Sequence, residues 1–161
     1  MQIAKIFFIS WLLMVLFGCA KPSFSAQESA YIVWKTPSFR YADQGFIYTA
    51  PEQMRIEIYG SGQALMRLDI EKEKICSSFL ACTDRYTFNE KMLSRWYPES
   101  ILEDIFNGRA IMHGEGMTQN RNGFTQNVRH GKKYEIHYSV LNNTILFRDT
   151  INKIFIKVVK Q

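Results

Sequence analysis

Met54-Arg55-Ile56-Glu57-Ile58-Tyr59, then Gly60-Ser61-Gly62-Gln63, then Ala64-Leu65-Met66-Arg67-Leu68-Asp69-Ile70 is the stretch that decides the fold. On the first arm Met54, Ile56 and Ile58 alternate with Arg55, Glu57 and Tyr59, so the two sets face opposite sides of an extended chain. The second arm repeats the pattern, with Ala64, Met66, Leu68 and Ile70 against Arg67 and Asp69. Two amphipathic strands joined by a glycine-rich turn predict a β-hairpin with one face to bury.

The same period continues outward. Upstream, residues 39–49 carry Phe39, Tyr41, Phe46 and Tyr48, with Asp43-Gln44-Gly45 expected as a bend or bulge. Downstream, the charged turn Glu71-Lys72-Glu73 leads to a short strand over 74–77. The period then changes. Thr87-Phe88-Asn89-Glu90 fits a capping box with Thr87 as N-cap, which predicts a short helix to about Ser94. Pro98 suits the first turn of a second helix over 99–107, whose apolar stripe is Ile101, Leu102, Ile105 and Phe106 and whose stop is Gly108. Strands resume at 124–128, 133–140, 145–148 and 153–159. The expected fold class is therefore mainly β: a curled antiparallel sheet or unclosed β-barrel, with two short helices as a lid.

The chain has 161 residues and a formal charge of +5, with 47% hydrophobic and 14% aromatic residues. That suits one domain with a real core and argues against disorder. The basic excess is too diffuse for a nucleic-acid surface. At the N-terminus, Lys5 precedes the apolar run 6–17, which is shorter than the ~20 residues of a membrane span. It ends in Leu16-Phe17-Gly18-Cys19, which resembles the lipobox of bacterial lipoproteins. The resemblance implies that residues 1–18 are removed, that Cys19 carries the lipid, and that the protein is held to a membrane by acyl chains. Ala20, where an aspartate would signal retention at the inner membrane, points to the periplasmic face of the outer membrane. Residues 19–30, small and polar, are expected as a lipidated tether, and 31–161 as a single domain. In an oxidising compartment the first expectation for Cys76 and Cys82 is a disulfide.

The order of parts resembles the LolB family, outer-membrane receptors for lipoproteins, and its soluble partner LolA. Gly45-Phe46-Ile47-Tyr48 with the 54–68 hairpin, Trp96-Tyr97-Pro98-Glu99-Ser100-Ile101-Leu102 with Ile105-Phe106-Asn107-Gly108, Gly123-Phe124 to Tyr138, and Thr144 to Val159 carry it. The resemblance implies an apolar cavity beneath a helical lid that holds acyl chains in transit, other lipoproteins and a LolA-like periplasmic carrier as partners, and a monomer. It also implies membrane contact through the turn Tyr59-Gly60-Ser61-Gly62. Here Ser61 replaces the family's exposed apolar residue and Gly60 its proline, which leaves that role to Tyr59 or Leu65. The paired cysteines fall outside the family pattern.

Candidate lining residues for the cavity are Ile56, Ile58, Met66, Leu68, Ile101, Ile105, Phe106, Tyr134, Ile136 and Tyr138; the alternative for each is ordinary core. A second possibility is an accessory lipoprotein of an outer-membrane complex, with Arg121, Arg129, Lys132 and Lys133 as its exposed patch. The aromatic groups Tyr31 to Trp34 and Arg95-Trp96-Tyr97 suit either a cavity rim or lid packing. An enzyme is not expected. His113, His130 and His137 are scattered, Gly60-Ser61-Gly62 lies in a hairpin, and Glu103 and Asp104 are adjacent on a helix without facing each other. No metal or other cofactor is implied.

Overall fold

The computed structural model describes residues 24–161. Eleven strands form one antiparallel sheet: β1 Ala26–Lys35, β2 Arg40–Ala50, β3 Gln53–Gly60, β4 Gln63–Glu71, β5 Lys74–Ser77, β6 Leu80–Asp84, β7 Met117–Asn120, β8 Gly123–His130, β9 Tyr134–Leu141, β10 Thr144–Asp149 and β11 Ile154–Lys160. Their order is β6-β5-β4-β3-β2-β1-β11-β10-β9-β8-β7, so two up-and-down meanders meet where β1 pairs with β11. The edges β6 and β7 do not pair, and the barrel stays unclosed. Two helices, α1 Arg85–Met92 and α2 Ile101–Asn107, lie between the meanders in sequence.

The alternation predicted for the 54–70 hairpin is realised except at Ala64, which is exposed because the β3–β4 register shifts at Ile58/Tyr59. Met54, Ile56, Ile58, Met66, Leu68 and Ile70 are all buried. Ser61 and Gly62 form the two-residue turn, both with positive φ (52° and 80°), as a right-twisted hairpin requires. The same inward face continues through Ala30, Ile32 and Trp34 on β1, Ile154, Ile156 and Val158 on β11, and Ile145 and Phe147 on β10. It packs on the helical stripe of Ile101, Leu102, Ile105 and Phe106, with the Phe106 and Trp34 ring centroids 5.5 Å apart.

Five expectations need correction. Residues 26–30 belong to β1 and not to a tether: Ala26 pairs with Thr49 of β2 and Ala30 is fully buried, so backbone pairing outruns the apolar pattern. Asp43-Gln44-Gly45 is no bend, because the β1–β2 register runs through it unbroken. Gly45 is there for space: a Cβ would lie 2.2 Å from the Glu57 carbonyl oxygen. The first helix is capped by Asp84, whose carboxylate accepts the Thr87 N–H at 2.8 Å, so Thr87 is inside the helix. This contact holds the Asp84 carboxyl below its ordinary pKa. The second helix starts at Ile101, two residues late. The Pro98 and Glu99 carbonyls are turned towards α1, where they accept from Asn89 Nδ2 and Arg85 Nε. Gly108 stops it as expected, at φ 69°. Finally, β6 and β7 are strands without the alternating signal. Every residue of β7 is exposed, and it stands on backbone pairing to β8 alone.

Candidate functional site

The inward face of the sheet is an apolar floor, and the segment 85–116 lies over it. Of the ten lining candidates, Ile56, Ile58, Met66 and Leu68 on the floor and Ile101 and Phe106 on α2 are 0% exposed. Ile105, Ile136 and Tyr138 are also buried, while Tyr134 is half-buried at the margin. The structure brings them into one cluster with Trp34, which the sequence suggested for a rim or lid packing, and with Ile47, Phe147, Ile156 and Val158, which sequence reasoning did not single out. The signal for those four was present as alternation on β2, β10 and β11. The floor and the helices fill one another.

The cover is fastened by polar contacts at its margins. Arg85, nearly buried, donates from Nη1 to the Glu71 and Lys72 carbonyls in the β4–β5 turn (3.1 and 3.3 Å), and it pairs with Glu103 of α2. On the opposite side Tyr97 donates its hydroxyl to Asp149 Oδ2 at 2.5 Å. Asp149 is 1% exposed and also accepts the Glu135, Ile151 and Asn152 amides and the Asn152 side chain. Burial first, and the neighbouring Asp149 second, push the Tyr97 phenol far above its ordinary pKa. Burial does the same to Tyr138, whose hydroxyl donates to the Asp104 carbonyl at 3.4 Å. Beyond α2, Gln126 of β8 holds the loop. Its Oε1 accepts the Ile111 N–H at 2.9 Å, and its Nε2 donates to the Ile111 and Glu115 carbonyls at 3.0 and 2.9 Å.

Three buried polar atoms lack a partner among the described residues: Trp34 Nε1, Thr83 Oγ1 and Asn89 Oδ1. An unsatisfied buried donor or acceptor costs about 1–3 kcal/mol. A narrow recess of about 170 Å³ opens between α2 and the β2–β3 turn. Glu103, Asn107 and Arg109 form its polar side, and Met54 of the floor borders it.

The other candidate residues are not brought together. Tyr59 is half-buried against Phe46 and donates to Glu57 Oε2 at 2.9 Å, and Gly60 is buried, so the turn 59–62 offers solvent little apolar surface; the nearby Leu65 is 51% exposed. Cys76 and Cys82 form the disulfide, with Cα atoms 4.0 Å apart, tying β5 to β6. Trp34 and Tyr97 are buried, whereas Trp96 is half-exposed beneath Lys133, whose Nζ is 4.3 Å from the ring centroid. Arg129 pairs with Glu135, Lys132 stands in the β8–β9 turn and Arg121 in the β7–β8 turn. His113, His130 and His137 are all exposed, and His137 Nδ1 shares a 2.8 Å hydrogen bond with Asn127. Glu103 and Asp104 point to different partners, Arg85 and Arg109. Cys19 and residues 1–18, the expected signal peptide, lie outside the described residues.

Neither known protein families nor curated proteins provide a match to this chain.

Proposed function

We propose that this chain is a lipid-anchored, non-enzymatic, LolB-like lipoprotein that takes acyl chains onto its apolar floor when the 85–116 segment lifts. On this reading it serves lipoprotein transfer at the periplasmic face of the outer membrane. The observation that carries the proposal is the contrast between floor and fastening. A continuous apolar sheet face is covered by helices of eight and seven residues, and the specific contacts that hold them are polar and marginal. An acyl chain lying between the floor and the Ile101, Ile105 and Phe106 stripe touches both, so opening need expose little apolar surface. The lipobox at Leu16-Phe17-Gly18-Cys19 supports the anchor.

The described residues 24–161 form the eleven-stranded sheet and its core, so a chain starting at Ala20 retains that unit. Titrated with a fluorescent apolar probe, it should bind, and a triacylated lipopeptide should displace the probe at micromolar concentration. A cooperatively folded chain that binds neither would mean a permanently filled core. The mass of the protein extracted from its membrane reports separately on acylation of Cys19.

A further inference from the structure

The outward face of the sheet is bare, and its charges are unevenly used. On β3 and β4 the outward charges are paired, Arg55 and Arg67 both with Asp69. On β1, β11 and β10 they are not. The cross-strand register sets Lys35, Phe155 and Arg148 side by side in one row. The next row is Val33, Lys157 and Leu146. No acidic residue faces outward on these three strands, and none of Lys35, Lys157 and Arg148 has an ion-pair partner among the described residues. The side chains between them, Phe155, Val33 and Leu146, stay partly exposed. Cations interleaved with half-exposed apolar groups are the composition of a surface that adsorbs at a lipid interface.

The chain enters the domain on this same face. Phe24 packs tilted against Tyr48, ring centroids 5.5 Å apart, and lies beneath the Arg55 guanidinium at 4.9 Å, and both partners point outward. Cys19 is five residues earlier, so its Cα is within about 18 Å of Phe24. A lipid on Cys19 therefore tethers the outward face at the Ala26 end of β1, and the Lys35 row lies about 30 Å further along the strand, where it supplies a second contact if the face lies flat. We infer that the outward face of β1, β11 and β10 lies on an anionic phospholipid surface, with Lys35, Lys157 and Arg148 contacting headgroup phosphates. This rests on the lipid anchor of the proposed function. It gives membrane contact to the sheet face in place of the turn 59–62.

The test uses the unacylated chain from Ala20 onward and sedimentation with vesicles. One set contains phosphatidylglycerol in phosphatidylethanolamine, the other a neutral lipid alone. Adsorption to the anionic set only, released by salt, is expected. The triple variant Lys35→Gln, Arg148→Gln, Lys157→Gln should bind about 100-fold more weakly. The charge-matched control Lys91→Gln, Arg121→Gln, Lys132→Gln should bind nearly as the parent does. Equal losses in both variants, adsorption that ignores lipid charge, or capture of an acidic protein without vesicle binding would overturn the assignment. All the exchanged side chains lie at the surface and off the apolar floor, so probe binding should be unchanged in both variants. Loss of probe binding would speak against the floor, not this face. An unacylated Cys19 in the extracted protein would speak against the anchor alone.

Discussion

Replacing Tyr97 by phenylalanine should make the protein less stable and at the same time a better acyl-chain binder. The substitution removes one hydrogen bond, 2.5 Å long, between a phenol 4% exposed and a carboxylate 1% exposed. It keeps the ring contacts to Phe147 and Tyr134. Asp149 still accepts four hydrogen bonds, so no bare charge is left behind. A hydrogen bond to a charged group contributes about 1.5–3 kcal/mol, and its burial keeps water from replacing it. A loss of about 2 kcal/mol lowers Tm by about 4–8 °C in a domain of this size. If the contact also fastens the helices over the floor, the same 2 kcal/mol raises the open fraction, and apparent probe affinity tightens by about 10- to 30-fold. Thermal melting and probe titration on one preparation measure both. A lowered Tm with unchanged affinity would mean that the helices are core and never a lid. An unchanged Tm would mean that the Tyr97–Asp149 contact contributes nothing.

Three further outcomes are expected. Gln126→Leu strands the Ile111 amide and carbonyl and the Glu115 carbonyl, so the urea midpoint should fall by the equivalent of about 2–4 kcal/mol; a shift below a quarter of that would show that the loop is not pinned there. Tyr97 and Tyr138 have folded pKa values raised above their unfolded value near 10, so their contribution is complete below that value and declines as pH rises through it. Stability measured between pH 8 and 11 should stay level and then fall by up to about 1.4 kcal/mol per pH unit per tyrosine, with Tyr97→Phe reducing the slope; an alkaline limb identical in the variant would contradict this. The double variant Cys76→Ser, Cys82→Ser opens a six-residue separation and should cost about 2 kcal/mol, with amide exchange rising first in β5 and β6; uniform exchange across the sheet would show the clip to be unimportant.

The sheet was legible wherever one face is buried and the other wet. Met54 to Ile70, Tyr134 to Val140 and the helical stripe Ile101 to Phe106 write their burial into their spacing. The edge strands were not legible, because β7 buries nothing and has no alternation to show. Residues 26–30 read as a tether because their side chains are small or polar, although their backbone is paired to β2. The floor was visible as residue types, but its fastening was not. Arg85, Gln126 and the Tyr97–Asp149 pair join segments 13 to 52 residues apart, and nothing local in sequence marks such partners. The unpaired cations of the outward face likewise needed the register, which sets Lys35 beside Phe155 and Arg148.

The central claim is that an acyl chain lies between the sheet and the lifted helices. The most direct test is photolabelling with a triacylated lipopeptide carrying a diazirine near the end of one acyl chain, followed by mapping of the labelled residues. Labels on floor and helix residues such as Ile56, Met66, Ile105 and Phe106 are the predicted result. Labels confined to Tyr31, Val33 and Phe155 on the outward face, or no labels at all, would contradict it.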